Sequence, residues 1–297
     1  MVDGSSYAWG VKSFAHTGKN TKASLAVTVT SIPRGGACID MDLIIVEPDL
    51  AAKIFIGAYG ANAALCFVAS EFALKTVYGG KDAQPDSLWG GTTLGAVGCN
   101  TALLLYLQHF KGMGFEKAIG WSVLPYLTME FYRIFINPDS DKVVGMKKET
   151  HYAAAVLNIA VLVASLMEAS WAPKLNWIYG LFSLMHGVWY YVNPQGAMAK
   201  QSINMSGPFG LVIMRTFGYF LLTHFAAVCG GLHITGTGTG TSSDVLKVTG
   251  WTALMNGVSV LSVSLDGTMA RANMPVLPGF AWAILSFVLG GSLVLKG

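Results

Sequence analysis

The sequence predicts an all-α fold, a polytopic integral membrane bundle of about eight transmembrane helices, and two observations carry this prediction. Hydrophobic residues make up 53% of the 297 residues and charged residues only 12%, about half of the roughly 25% found in soluble domains. The apolar residues also fall into successive runs of roughly 20, the length that a membrane-crossing helix needs. We therefore expect an integral membrane protein.

The chain divides into a polar and basic N-terminal extension, residues 1–50, and a transmembrane domain, residues 51–297. Up to Ala37 the extension is rich in Ser, Thr, Gly and Lys, and Asp3 is its only acidic residue. That balance is typical of an organellar transit peptide, so an organellar membrane is one candidate location. Lys and Arg residues divide evenly between the two sides of the expected membrane domain, so they give no orientation.

The apolar runs and the charges that bracket them place the eight spans. We expect them at about residues 52–75, 88–110, 118–136, 151–168, 175–192, 208–231, 247–265 and 276–295. The connection 137–150 carries mixed charge and is expected to be solvated. The Gly/Thr-rich tract 230–243 is expected to be a flexible linker. Small residues such as Gly57, Gly91 and Gly95 predict close helix packing inside the monomer.

Two aromatic segments, 124–138 and 181–194, share a pattern and both end in Asn-Pro. At an offset of 56 residues, Glu130 falls on His186 and Asn137 on Asn193. Proline restricts the preceding residue to extended conformations, so each copy is expected to close a helix and start a turn. We interpret the pattern as a candidate internal hairpin repeat; unrelated aromatic helix ends are the alternative.

Ionisable residues inside spans are costly, so each is a candidate for function. Five polar groups from four predicted spans fall in the half of the membrane opposite the chain termini: Glu71, Glu130, Arg133, His186 and Arg215. We expect them to face the bundle interior, with Glu130 paired to Arg133 or Arg215. Such a cluster can brace the bundle, the reading that we favour, or line a cavity.

The sequence contains no catalytic motif and no metal-ligand spacing, so it argues against an enzyme or a metal site. The basic residues do not cluster as nucleic-acid binding requires. No motif indicates a cofactor; lipid, chlorophyll and haem remain candidates, with His109, His186 and His224 as candidate pigment or haem ligands.

Three functions stay open. The first expectation is a non-catalytic accessory or linker subunit of a larger membrane complex, organellar bioenergetic or photosynthetic, whose partners are lipids and other membrane subunits. The alternative is a transporter or channel for a small polar or anionic solute. The third is pigment or haem binding.

Overall fold

A computed structural model describes residues 27–30, 43–80, 84–205, 207–236 and 242–297 of the chain. The described residues are all-helical apart from one antiparallel strand pair, β1 (Val27–Thr30) and β2 (Leu43–Val46). The helices are α1 (Pro48–Val68), α2 (Ser70–Phe72), α3 (Pro85–Lys111), α4 (Phe115–Ser122), α5 (Leu124–Phe131), α6 (Lys148–Leu166), α7 (Ala172–Val192), α8 (Pro194–Lys200), α9 (Gly207–Gly236), α10 (Ser242–Leu265), α11 (Thr268–Arg271) and α12 (Leu277–Lys296). Two π-helical turns, Ala73–Val77 and Tyr132–Ile136, and one 3-10 turn, Ser140–Val143, complete these elements.

Five of the described helices are long and apolar enough to cross a membrane, judged by length and composition: α1, α6, α9, α10 and α12. α3 and α7 are as long but are less hydrophobic than these five, and the segment 115–136 is divided into shorter helical pieces. These five helices are compatible with an integral membrane protein of several passes.

α3 and α9 form the centre of the bundle. α3 packs against α1, α4, α5 and α9, while α9 also packs against α7 and α10, and α10 packs against α12. Both helices are extensively buried: sixteen of the 27 residues of α3 are buried, as is 67% of the most apolar stretch of α9. Because a central helix contacts protein rather than lipid, it can carry polar residues that a lipid-facing helix cannot.

The predicted extension, residues 1–50, lies mostly outside the described residues. Within the part described, β2 lies against α12, where the Val46 amide donates a hydrogen bond to Ser292 Oγ at 3.0 Å. α1 then begins at Pro48, with the Glu47 side chain accepting hydrogen bonds from the Asp49 and Leu50 amides.

The Gly/Thr-rich tract is helical in its first half, which corrects the prediction of a linker over 230–243. α9 continues to Gly236, and residues 237–241 lie outside the described residues. Gly231 lies against the ring of Phe115, so the missing side chain makes room for an aromatic neighbour rather than for flexibility.

Both Asn-Pro sequences close a helix with nearly the same backbone conformation. Asn137 has φ −129° and ψ 67°, and Asn193 has φ −135° and ψ 69°. Each asparagine ends a helical segment before its proline, as expected from the restriction that proline places on the preceding residue. A common origin for the two hairpins stays a prediction.

The crossing of α1 and α3 depends on Gly95. A Cβ atom at this position would lie 2.3 Å from the Phe67 amide nitrogen. We expect Gly95→Ala to destabilise the protein by about 1–3 kcal/mol, because backbone atoms cannot move aside as a flexible side chain can. The thermal unfolding midpoint in mild detergent measures this effect. Gly57→Ala is the matched control, since a Cβ there meets nothing within 4 Å; equal midpoints for both variants would contradict the prediction.

Candidate functional site

A break between α4 and α5 positions the first part of the site. Val123 ends α4, and Pro125 lies in the first turn of α5, where proline is tolerated but cannot continue the preceding helix. The Tyr126 amide, close to the break, donates a hydrogen bond to Asn100 Oδ1 of α3 at 3.1 Å. This contact connects the start of α5 to the central helix.

Three side chains of this segment point to one cavity. Tyr126, Glu130 and Arg133 are spaced by four and then three residues, which places them on one face of a helix. All three line the same cavity, and Glu130 and Arg133 are only 1% and 4% exposed.

Arg133 lies in the π-helical turn Tyr132–Ile136 and reaches back to α3. Its Nη2 donates hydrogen bonds to the Trp89 carbonyl oxygen at 3.0 Å and to Thr93 Oγ1 at 2.9 Å. Its guanidinium carbon lies 4.3 Å from the centre of the Trp89 ring, a cation–π distance. The arginine is therefore held by neutral acceptors and an aromatic face, and no carboxylate among the described residues forms an ion pair with it.

His151, in the first turn of α6, lies between two carboxylates. Its Nδ1 is hydrogen-bonded to Glu130 Oε2, and its Nε2 lies 3.0 Å from Asp141 Oδ1, an ion-pair distance without hydrogen-bond alignment. The imidazole and both carboxyl groups are almost fully buried. The cluster joins α5, the 3-10 turn Ser140–Val143 and α6.

Asp141 is the outermost carboxylate of this cluster. Burial raises the pKa of this carboxyl group, but His151, the Trp89 indole N–H at 3.1 Å and the Arg133 charge together lower it overall. Asp141 is therefore ionised at neutral pH. It is 4% exposed and the nearby Val144 is fully buried, so the expectation that segment 137–150 is a solvated connection is wrong for this part.

The cavity has a volume of about 230 Å³ and lies between α3, α5, α6, α7 and α9. From Trp89 to Asn100 along α3 the lining extends by eleven residues, or about 16 Å, from the loop end of the bundle toward its middle. Most of the lining surface is apolar, and the charged groups lie at the loop end. The polar lining includes Thr93, Asn100, Tyr126, Glu130, Arg133, Thr150, His151, Asn158, Ser183, His186, Tyr190, Gln201 and His224.

Three buried polar atoms of lining residues have no hydrogen-bond partner among the described residues: Arg133 Nη1, His151 Nε2 and Asn158 Oδ1. His151 Nε2 lies at ion-pair distance from Asp141, which leaves Arg133 Nη1 and Asn158 Oδ1 for a ligand. Asn158 Nδ2 donates to the Ala154 carbonyl oxygen at 2.8 Å. A buried polar group without a partner costs about 1–3 kcal/mol, and more when it is charged. The cavity therefore offers the N–H donors of one guanidinium nitrogen and one amide carbonyl acceptor.

A second cavity, of about 240 Å³, lies near Asn62, Tyr78 and Trp282, and none of the described residues that line it is charged. Asn62 Nδ2 donates to Tyr78 Oη at 2.7 Å, and Tyr78 Oη donates to Asn62 Oδ1 at 3.0 Å. Because these polar groups satisfy one another, this cavity presents little polar chemistry to a ligand.

The structure brings together three of the five residues predicted as a cluster: Glu130, Arg133 and His186 line the first cavity. The expected pairing of Glu130 with Arg133 or Arg215 is wrong, because Glu130 contacts His151 instead. Glu71 lies beyond the end of α1, where it is exposed and receives a hydrogen bond from Lys75 at 2.8 Å.

Arg215 lies apart from the cavity, in a surface groove with Arg271. It forms an ion pair with Asp266, and its Nε donates to the Tyr191 carbonyl oxygen at 3.1 Å. Burial raises the pKa of Asp266, but hydrogen bonds from Thr268 and the Arg215 charge lower it overall. Arg215 thus has an acidic partner that follows α10, not one of the carboxylates predicted from depth.

The three histidines considered as pigment or haem ligands differ in which of their ring nitrogen atoms are hydrogen-bonded. Both ring nitrogens of His224 are hydrogen-bonded, to Thr101 Oγ1 at 3.0 Å and Tyr179 Oη at 3.1 Å. His109 Nε2 contacts Asp49 Oδ1 at 3.0 Å. Nδ1 of His186 is hydrogen-bonded to the Phe182 carbonyl oxygen, and the side chain lines the cavity. Of the three histidines, His186 is therefore the one whose Nε2 is best placed to bind a ligand in the cavity. The described residues contain no group of three side chains that could hold a metal ion.

Sequence reasoning missed His151 and Asp141. His151 is the first residue of the predicted fourth span, and Asp141 falls in a connection with mixed charge, so neither was counted as intramembrane. The sequence does contain a signal for these two residues. Asp141 and His151 lie just outside two neighbouring apolar runs, and side chains in such positions can turn inward to contact a buried glutamate, here Glu130, on the preceding helix.

We expect His151→Leu to destabilise the protein by about 3–5 kcal/mol. The variant leaves Glu130 and Asp141 buried without the imidazole between them, and breaking a buried ion pair from one side has a cost of this size. The unfolding midpoint in detergent at neutral pH measures it. His186→Leu is the control, since His186 is half-buried and bonded to one carbonyl only. Equal losses in the two variants would contradict the prediction.

The chain matches no known protein-family model, no curated protein and no solved structure.

Proposed function

We propose that this chain is an integral membrane protein of eight spans that binds a small anionic solute beside Arg133 and carries it across the membrane. One observation carries the proposal: a buried arginine lines a cavity and keeps one N–H group without an acceptor among the described residues. An arginine retains its charge when buried and must find an acceptor. A solute oxygen at Nη1 supplies that acceptor.

Helix lengths support eight spans. At about 1.5 Å per residue, α3 and α7 extend for roughly 40 and 31 Å, and the helical pieces of the segment 115–136 have a summed length of roughly 33 Å, enough for a hydrocarbon core of about 30 Å. All three carry polar residues that are buried in the bundle, such as Asn100 of α3, Glu130 of the segment 115–136 and Asn176 of α7. All three also contribute residues to the lining of the cavity.

The eight-span arrangement makes a topology prediction. Single cysteines at positions 84, 139 and 195 are expected to react with a membrane-impermeant maleimide from one side, and cysteines at 111 and 168 from the other. All five positions are exposed, at the ends of α3, of the segment 115–136 or of α7. A background without the native cysteines and a permeant maleimide serve as controls. If 168 and 195 react from the same side, α7 does not cross and the eight-span proposal fails.

Charge and size together define the solute class. The charged groups at the loop end of the cavity can bind one anionic group of the solute, and the apolar walls can pack against a small apolar remainder of the same molecule. With about 30 Å³ per water molecule, the cavity volume corresponds to roughly eight waters. The solute is therefore a small organic anion rather than a long lipid. A break such as that between α4 and α5 is also found near the binding sites of transporters built from discontinuous helices.

Benzenesulfonate is a suitable probe because it stays anionic across the working pH range and crosses bilayers poorly. We expect the purified protein to bind it, and proteoliposomes to take it up faster than protein-free liposomes. Arg133→Met removes a charge-assisted hydrogen bond of about 1.5–3 kcal/mol, so binding should weaken roughly ten- to a hundredfold. Isothermal titration calorimetry and radiolabel uptake measure the two quantities.

Arg271→Met is the matched control, because the same change is then made at an exposed arginine outside the cavity. It should leave binding and uptake unchanged. Arg133→Lys, which keeps the charge, should bind more strongly than Arg133→Met. Equal binding by wild type and a folded Arg133→Met variant would remove the proposal.

Two other expectations from the sequence stay predictions. A non-catalytic linker subunit of a larger membrane complex would co-purify with constant partners in mild detergent. Pigment or haem bound at His186 would give the purified protein a visible absorption band, and His186→Gln would abolish it.

A further inference from the structure

The charged groups beside the cavity balance one another before any solute binds. Arg133 contributes one positive charge, and Glu130 and Asp141 contribute two negative charges. A neutral imidazole has one N–H and one lone pair, so at His151 one carboxylate would face a lone pair. With a carboxylate oxygen at each ring nitrogen, the imidazolium is the form that fits. Two positive and two negative charges then give a net charge of zero.

A bound anion upsets this balance. Its charge adds one negative unit to a site in which the neighbouring carboxylates are almost completely buried. Uncompensated charge is costly away from water. Since Arg133 is already counted in the balance, its pairing with the solute leaves the other three charges with a surplus of one negative unit. A proton is the smallest species that can remove the surplus.

Several titratable groups face the cavity, and Glu130 is the one suited to take this proton. Tyr126, Tyr179 and Tyr190 are phenols that are already neutral. His224 has both ring nitrogens in hydrogen bonds, and Asp141 lies behind His151 and does not line the cavity. That leaves Glu130 and His186. Glu130 carries the negative charge nearest to Arg133 on its own helix, whereas His186 lies across the cavity on α7.

We propose that solute binding at Arg133 takes one proton from solution onto Glu130, so that the site holds an anion and a proton together. The carboxylate becomes a carboxylic acid, whose carbonyl oxygen still accepts the His151 Nδ1–H bond. The solute then pairs with Arg133 and His151 pairs with Asp141, and the net charge is again zero. This inference rests on the proposed function and adds the proton as the co-substrate.

The proposal predicts that benzenesulfonate affinity rises as pH falls. A bound state that holds one more proton than the free state gains about tenfold in affinity for each unit of decreasing pH, over the range in which the free site lacks that proton. Because benzenesulfonate does not titrate there, any proton taken up binds to the protein. Calorimetry in two buffers of different ionisation enthalpy counts these protons, and we expect about one per probe.

Glu130→Gln replaces the carboxylate with a permanently neutral group that keeps the carbonyl acceptor. We expect this variant to bind the probe without proton uptake and with an affinity independent of pH. His186→Gln is the control and should keep the proton uptake. Benzenesulfonamide, a neutral analogue, should cause no uptake in the wild type. Proton uptake that persists in Glu130→Gln would overturn the assignment, and its loss in His186→Gln would transfer it to His186.

Infrared difference spectroscopy on the wild type provides a readout that does not require the variant to fold. Probe binding should produce the carbonyl band of a protonated carboxylic acid, and its absence would overturn the proposal. Probe binding that depends on Arg133 but takes up no proton would remove this inference and leave the proposed function intact. Failure of the wild type to bind the probe would remove both.

Discussion

The buried contact between Glu130, His151 and Asp141 is the interaction on which the candidate site depends. It joins three elements that are separate in sequence: α5, the 3-10 turn Ser140–Val143 and the start of α6. Trp89 of α3 reaches the same cluster through its indole N–H on Asp141. The wall of the cavity at the loop end is therefore fixed by charges and hydrogen bonds between four separate elements.

A buried cluster of charged groups contributes little net stability to the packing of helices. Well-packed apolar residues in place of a buried ion pair often give equal or greater stability. Small residues such as Gly95 already provide close packing elsewhere in this bundle. Bracing alone therefore does not account for the incomplete hydrogen bonding of Arg133 and Asn158. A binding role accounts for it, because the groups left over are the ones that a solute can use.

The amino-acid pattern was sufficient for the all-helical character, for the helix ends at Asn137 and Asn193 and for attention to Glu130 and Arg133. Each follows from local chemistry: apolar runs, the restriction before proline, and the cost of charge among apolar residues. The pairing of these charges could not be predicted in the same way. Glu130 pairs with His151, and Arg215 pairs with Asp266. Both partners lie at helix ends, where the position of a residue along the helix does not determine the direction of its side chain. The prediction that Glu71 lies inside the first span is wrong, because α1 ends at Val68 rather than near residue 75.

Arg133 and Arg215 show why contact geometry, rather than residue type, defines the site. Both arginines lie within apolar segments and both donate to a backbone carbonyl oxygen. Arg215 is partly exposed and has Asp266 as an ionic partner, so its charge is compensated before any ligand arrives. Arg133 is almost fully buried, donates only to neutral acceptors and faces a cavity with one N–H group still free. The carboxylates that balance its charge are engaged with His151 instead. In the function proposed here, an anion entering the cavity meets an arginine that has no other ionic partner, and for this reason we assign the binding role to Arg133 rather than to Arg215.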